Sequence, residues 1–295
     1  MAFIPKSLRV WVKQKIVNTM KEEQTRNEIS DSFGAEMKPV YFPYKANSES
    51  YIIHKPAKVP EMCEQGLPVP PKELRLGYGN TAEEYLNGKI QIKRMLEILK
   101  KNKFEITSGN KILDFGCGAG RMIRWLKTFS KDCEIWGTDI SSEHIYWANQ
   151  YLKPPFNFAT TTTIPHLPFE DGYFNFIYSG SVFTHIDDLA DAWFLELRRV
   201  CSKDAFLYIT IQDKHTIKLL DNEYKGQWLS SFMNDMSVYR ENKNDFDVIV
   251  GGRGPDSQVF YDIDYLKRSL NTFFEIISVE EEAYGYQTAL VLRKK

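Results

Sequence analysis

The hydrophobic and polar positions of this 295-residue chain fall into four zones. Between Ser7 and Met20, the apolar residues Leu8, Val10, Trp11, Val12, Ile16, Val17 and Met20 are interleaved with Arg9, Lys13 and Lys15, which predicts a short basic amphipathic helix. No acid appears before Glu22. Two readings stay open: residues 6–20 make a weak contact with a membrane surface, or they pack on the main domain. Residues 36–80 hold seven of the thirteen prolines, Pro39, Pro43, Pro56, Pro60, Pro68, Pro70 and Pro71. Proline removes a backbone donor and fixes φ, so an extended wrapping segment is expected here. Its Tyr41, Phe42, Tyr44, Tyr51, Ile52 and Ile53 imply that it is docked.

The third zone, residues 81–212, alternates helical and strand patterns. Thr81-Ala82-Glu83-Glu84 has the form of a capping box, and Tyr85, Ile92, Met95, Leu96 and Leu99 follow at helical spacing. Strands are expected at 111–115, 134–138, 156–159, 174–179 and 205–211. Helices are expected at 120–129, from a cap at Ser141 or Ser142 to 151, and at 188–200. Strands separated by helices imply βαβ units and a parallel sheet. In the last zone, residues 212–261 have weak periodicity and contain the loop Gly251-Gly252-Arg253-Gly254-Pro255; such a long stretch is usually functional or mobile. A helix at 263–270 and strands at 274–279 and 288–292 close the chain, the two strands forming a hairpin across 284–286. The organisation expected is an extension over residues 1–80 and an α/β domain over 81–295 with an insertion at about 213–261.

Composition narrows the class. Hydrophobic residues are 43% and charged residues 26%, enough for a sizeable core. The net charge of −1 argues against broad charge-driven nucleic-acid binding. Cys63, Cys117, Cys133 and Cys201 form no CxxC or CxxH pair, so a zinc site has no support and a reducing compartment is the simpler reading. No stretch approaches the ~20 apolar residues of a bilayer span. The expected location is cytoplasmic, with membrane-peripheral attachment left open. Oligomeric state is undetermined.

The chemistry concentrates at Asp114-Phe115-Gly116-Cys117-Gly118-Ala119-Gly120, where a strand runs into a glycine turn. Glycines permit the sharp bend and let a ligand approach the backbone. A helix starting at Arg121 would add unpaired N–H groups and a partial positive charge. A dinucleotide fingerprint, GxGxxG, would need glycine where Arg121 stands. Asp114 would repel a pyrophosphate but suits an ammonium group. Asp139, nineteen residues after Gly120 at the end of the next strand, can accept from both ribose hydroxyls. A nucleoside carrying an amino acid satisfies both acids and the helix end together.

On these residues the chain resembles the class I S-adenosylmethionine-dependent methyltransferases. Leu113–Gly120 matches their nucleotide motif, and Asp139 in Gly137-Thr138-Asp139-Ile140-Ser141 their ribose acid. The stretch 167–174 resembles the loop before their fourth strand. Ser181-Val182-Phe183-Thr184-His185-Ile186 resembles the segment after that strand in one bacterial subgroup acting on small molecules or glycans. Residues 196–200 resemble the helix before strand five, and 287–294 the last strand. The resemblance covers about residues 74–295. It implies a Rossmann-like, seven-stranded, mostly parallel sheet with helices on both faces and only the last strand antiparallel. It also implies S-adenosyl-L-methionine as cofactor, held by Tyr78, Asp114, Gly116, Cys117, Gly118, Gly120, Asp139, Ile140, Thr163 and Ser179. The sequence departs from the family at Asn175, where Asp is usual, at Thr161–Thr163, where an acid often meets the adenine, and at Ser202-Lys203-Asp204, where Pro-Gly-Gly is usual.

Methyl transfer from a sulfonium needs chiefly orientation and exclusion of water. An oxygen acceptor also needs a base, and His185, after strand four, has an ordinary pKa of about 6.5 that suits the role. His185 as a structural histidine is the other reading. Asp187 either orients His185 or caps the helix after it. Asp213 and His215 face the same edge more weakly, and His166 sits in a loop. Arg121 is either a surface residue or a partner for an acidic acceptor, and Tyr85 is either core or a cover for the cofactor. The leading reading is transfer to a hydroxyl of a small molecule or glycan. A non-catalytic cofactor-binding module in an assembly and a nicotinamide-dependent oxidoreductase are the alternatives. No basic tract or Asn-Pro-Pro-Tyr motif supports a nucleic-acid substrate.

Overall fold

The computed structural model describes residues 61–63, 65–186, 188–252 and 257–295. The amphipathic segment 7–20, the prolines up to Pro60, Asp187 and part of the 251–255 loop lie outside the described residues.

Seven strands form one sheet: β1 (Lys111–Phe115), β2 (Glu134–Asp139), β3 (Asn157–Thr160), β4 (Phe174–Ser179), β5 (Cys201–Ile211), β8 (Phe274–Tyr284) and β9 (Gln287–Lys294). Their order is β3-β2-β1-β4-β5-β9-β8, and β6 (Val248–Gly251) pairs with β7 (Gln258–Tyr261) in a separate ribbon. The pairs among β1 to β5 are parallel, whereas β9 runs antiparallel to both β5 and β8. The expected sheet, with its last strand alone reversed, is therefore the one observed. Chain order reverses direction between β1 and β4, which opens a crevice at the carboxyl ends of those strands.

Both faces of the sheet are covered, so the strands read as nearly continuous apolar runs. Alternate residues go to opposite layers. Ile112, Phe176, Tyr178, Tyr208 and Val291 pack with α2 (Gly88–Lys101) and α3 (Ser142–Tyr151). Leu113, Phe115, Ile177, Leu207 and Leu292 pack with α4 (Ala190–Val200) and α8 (Ile263–Leu270). Three helices of the 213–261 stretch, α5 (Lys214–Asp221), α6 (Trp228–Asp235) and α7 (Ser237–Asn242), build a smaller cluster around Leu220, Met233, Tyr239 and Phe260. This stretch is thus helices and a ribbon, not the loop its weak periodicity suggested. Elements of six to eight residues are too short to show a repeat.

Two further expectations are corrected. The helix foreseen over 120–129 is instead a pair of 3₁₀ turns, Ile123–Leu126 and Phe129–Lys131. Arg124 is fully buried, and its Nε donates to Gly120 O at 3.0 Å. The side chain thereby occupies the carbonyl that the Arg124 N–H would use in an α-helix. The helix from Thr81 is broken at Asn87 into α1 (Ala82–Leu86) and α2. The Thr81 capping box is present in full: Glu84 N donates to Thr81 Oγ1, and Thr81 N donates to Glu84 Oε2.

The segment before α1 is fastened by basic side chains to backbone carbonyls. Arg124 Nη2 reaches Pro68 O at 2.7 Å, Lys127 Nζ reaches Gln65 O at 2.7 Å, and Arg75 Nε reaches Pro70 O at 3.0 Å. At the start of α2, Gly88 lies so close to the residue after the glycine bend that an added Cβ would stand 2.4 Å from Arg121 O. Gly88→Ala is expected to destabilise the protein by about 1–3 kcal/mol, the usual cost of overpacking against backbone, as read from the midpoint of urea unfolding.

Candidate functional site

The glycine bend joins β1 to the first 3₁₀ turn, and all three glycines have positive φ: +82° at Gly116, +52° at Gly118 and +80° at Gly120. An added Cβ at Gly116 would meet Val182 Cγ2 at 2.2 Å, so that position is closed by contact as well as by conformation. Gly116 N and Cys117 N both donate to Thr138 O, at 2.8 and 2.9 Å, which ties the bend to the end of β2. Asp139 completes the tie. Its Oδ2 accepts from Gly118 N and its Oδ1 from Ser141 N, each at 2.8 Å. Ser141 in turn caps α3 by accepting from His144 N.

Asp114 pairs with Gly137 across β1 and β2, so Asp139 lies two residues, roughly 7 Å, further along the neighbouring strand and on the same face. The two carboxylates are close enough for Asp139 to raise the Asp114 pKa. Asp114 is buried and its Oδ2 has no hydrogen-bond partner. Burial chiefly, helped by Asp139, lifts its pKa from 3.8 to about 7, while the nearby Tyr178 hydroxyl, then the Ile123 backbone N–H and the charge of Arg121, pull the other way.

Arg121 faces this carboxyl from the end of the bend. It is buried, with Nη1 donating to Tyr284 Oη at 2.9 Å and Nη2 to Gln91 Oε1 at 3.0 Å. Its guanidinium lies 4.3 Å from the Tyr78 ring centre, and its Nε is unpartnered. The reading of Arg121 as a helix-start surface residue is therefore wrong: with no α-helix after the bend, the residue turns inward. The positive charge at the bend comes from this side chain and not from a helix terminus.

The remaining expected residues are placed as follows. Ile140 and Thr163 are half-buried at the ends of β2 and of the loop after β3, and Thr161 N donates to Asp139 O at 2.9 Å. Ser179 is fully buried at the end of β4 with its hydroxyl unpartnered. Cys117 is buried, and burial together with Asp114 and Asp139 pushes its thiol well above the usual range, so it stays protonated. Tyr85 is a buried core residue. Asp213 caps α5, and His215 pairs with Glu281 and Glu282. His166 is exposed beside Glu196. Asn175 is structural: its Oδ1 accepts from Lys111 N at 2.8 Å and its Nδ2 donates to Ser202 Oγ at 3.3 Å. Arg199 bonds the carbonyls of Leu167 and Phe169 and the carboxylates of Asp171 and Glu196, fixing the loop before β4.

A cavity of about 250 Å³ opens at the carboxyl ends of β4 and β5. Tyr78 and His185 line it, together with residues not singled out in the sequence: Ser181, Gln258 and Gln287. His185 Nδ1 lies 2.8 Å from Ser257 O and donates to it, which makes Nε2 the basic nitrogen. Also unforeseen is His144, buried beside Asp139; burial holds its imidazole below the ordinary pKa against the pull of Asp139 and Glu143.

Residues 113–209 match the family model described as a methyltransferase domain. Over those residues the chain has a methyltransferase domain, set in a Rossmann-like sheet. No curated protein matches the chain. Among solved structures, a protein of Pyrococcus horikoshii OT3 is similar at 20% identity over 73% of this chain and 93% of its own, with a TM-score of 0.53. An S-adenosylmethionine-dependent methyltransferase of Methanosarcina mazei is similar at 21% identity over 67% and 96%, with a TM-score of 0.46. At that identity the first likeness speaks for the fold alone. Within the methyltransferase domain, the bend, Asp114, Asp139 and His185 all fall inside the matched residues. Among the described residues, no group of three acids, histidines or cysteines could hold a metal, and no helix is long and apolar enough to cross a membrane.

The Asp114 carboxyl yields a stability prediction. Its folded pKa of about 7 exceeds the ordinary 3.8, so the folded state holds the proton more tightly. Stability from this group is fully present below about pH 4 and is lost as pH rises through 7. Asp114→Asn should remove that decline: at pH 8 its urea midpoint should lie above that of the parent protein, and at pH 4 the difference should vanish. A parent protein equally stable at both pH values would contradict the buried acid.

Proposed function

We propose that this protein transfers a methyl group from S-adenosylmethionine to a hydroxyl of a small molecule or glycan. One observation carries the cofactor placement. At the bend, a buried carboxyl oxygen of Asp114 and the buried Arg121 Nε both lack partners. Buried polar atoms of opposite charge without partners are costly, and the cost is relieved by a ligand bearing both an ammonium and a carboxylate. The amino-acid end of the cofactor is such a zwitterion. Asp114 holds the ammonium, Arg121 Nε receives the carboxylate, the glycine bend lets the ligand lie close against its backbone, and Asp139 accepts from the ribose hydroxyls. Each carboxylate oxygen of Asp139 already takes one backbone N–H but has a second lone pair to offer. Ile140, Thr163 and Ser179 surround the adenine side, and Tyr78 closes the bend over Arg121.

When bound, the cofactor supplies an activated methyl group on a positively charged sulfur. The chain's residues hold the acceptor in line with it and exclude water. His185, on the cavity rim, takes the hydroxyl proton on Nε2. With the cofactor held at the bend, its sulfonium would supply the methyl group to the hydroxyl oxygen, the electron pair of the broken carbon–sulfur bond staying with the departing thioether. The products are a methyl ether, a neutral thioether and a protonated His185, which returns its proton to solvent.

Asp139→Ala should raise the dissociation constant for S-adenosylmethionine about a hundredfold or more by calorimetry, as loss of two hydrogen bonds to a charged group implies. Its helix and strand content by far-ultraviolet dichroism should be kept, while loss of the Gly118 and Ser141 bonds should lower its urea midpoint; unaltered affinity would remove Asp139 from the ribose. His185→Ala should bind the cofactor as the parent does but lower kcat on the acceptor about a hundredfold or more, the usual worth of a general base. Full turnover in that variant would leave His185 a structural role.

A further inference from the structure

We propose that the acceptor is an uncharged, hydroxylated ring of sugar type, with one face stacked on Trp228 and its hydroxyls read by Ser181, Thr184 and Gln287; this rests on the methyl-transfer reading of the same site. Among the described residues, the cavity wall holds no Asp, Glu, Lys or Arg. Among the described residues a charged acceptor would lose its hydration there with no ionised side chain beyond His185 to offset it. The wall is nevertheless polar, and its polar groups are held in fixed places. Ser181 N donates to Thr210 Oγ1 at 2.7 Å, Thr210 Oγ1 donates to Gln287 Oε1 at 2.7 Å, and Gln287 Nε2 donates to Ser181 Oγ at 2.8 Å. Thr184 Oγ1 lies 3.3 Å from Ser181 Oγ. Thr210 is fully buried, so this closed ring of bonds is anchored in the sheet.

Ser181 itself has φ +59°, a left-handed conformation that residues with a side chain avoid. The Thr210 and Gln287 bonds hold it there, and strain of this kind is kept where a site requires it. Each hydroxyl can both give and accept, and a primary amide has a second N–H beyond the one committed to Ser181. Together these groups match vicinal hydroxyls, which also give and accept.

The opposite requirement is set by the aromatic side chains. Trp228 lies on the cavity rim with 62% of its surface exposed, although an indole is among the side chains most favoured by burial. Phe232 stacks against it, ring centres 5.5 Å apart and planes 10° from parallel, which fixes its orientation from behind. Tyr286, also in the wall, is set by an edge contact with Tyr224 at 5.6 Å. A rigid, solvent-facing apolar plate beside neutral hydrogen-bonding groups suits a ring with carbon–hydrogen bonds on its face and hydroxyls on its edge. A planar aromatic acceptor with one hydroxyl would satisfy Trp228 but leave most of Ser181, Thr184 and Gln287 facing apolar carbon, and a catechol, which has vicinal hydroxyls but no carbon–hydrogen bonds on its face, tests the stacking requirement separately.

The test uses the full chain and S-adenosylmethionine carrying a tritiated methyl group, after calorimetry has shown that the unlabelled cofactor binds. The acceptors are methyl glycosides of neutral hexoses and 6-deoxyhexoses, the corresponding uronic acids, and a catechol. Label should enter at least one neutral glycoside with kcat/KM tenfold or more above its uronic acid and the catechol. Trp228→Ala, an exposed and therefore well-tolerated change, should raise KM for that glycoside tenfold or more, leave the cofactor's dissociation constant unaltered, and be largely rescued by Trp228→Tyr. Cofactor-loaded protein that labels no neutral glycoside, that prefers the uronic acid or the catechol, or whose KM ignores Trp228→Ala would overturn the proposal. Failure to bind S-adenosylmethionine at all would instead overturn the methyl-transfer reading, and this inference with it.

Discussion

Asp139 accepts one hydrogen bond from the amide of Gly118 and another from that of Ser141, and through that pair the glycine bend and the cap of α3 become a single unit. The carbonyl of Thr138 takes the two amides just before, so the end of β2 holds both sides of the turn that follows β1. The three positive-φ glycines would otherwise be the most adaptable positions of the chain. Fixed in this way, they keep a carboxyl at Asp114 and a guanidinium at Arg121 facing one place. The crevice itself follows from the strand order, because the chain turns from one side of β1 to the other between β3 and β4.

That arrangement is expensive for the isolated protein. Asp114 is deprived of water, and its pKa is lifted to about 7 as a result. Buried Arg121 and Arg124 each leave a nitrogen unpartnered. The two arginines nonetheless do different jobs. Arg124 takes the carbonyls of Gly120 and Pro68, and so fastens the segment before α1 onto the bend. Arg121 is clamped by Tyr284 and Gln91 with Tyr78 against its face, and its buried Nε has no hydrogen-bond partner. Functional sites commonly carry such unrelieved groups, at a cost in stability borne by the rest of the core.

Much of the sheet was legible in the sequence because burial on both faces leaves an unmistakable signal: short apolar runs such as Lys111–Phe115 and Phe174–Ser179, separated by capped helices. Asp114 and Asp139 were legible because each lies at or next to the end of a strand, beside glycines or a cap. The inward turn of Arg121 was not, because the partners that hold it, Tyr284 and Gln91, lie far off in sequence. The stretch between β5 and α8 hid its three short helices for the same reason. Their apolar residues face one another and the β6–β7 ribbon, and no single element is long enough to show a period.

By itself the sequence determined the alternation of strands and helices, the position of the bend and the two acids that flank it, since each rests on local rules of burial period, glycine conformation and capping. Tertiary structure alone decided which groups meet in the cavity at the carboxyl ends of β4 and β5. Tyr78, Ser181, Trp228, Gln258 and Gln287 come from five separate parts of the chain. Their neutrality as a set has no trace in any one segment, because it arises only when the sheet brings the ends of β4 and β9, the ribbon and α6 to the same edge.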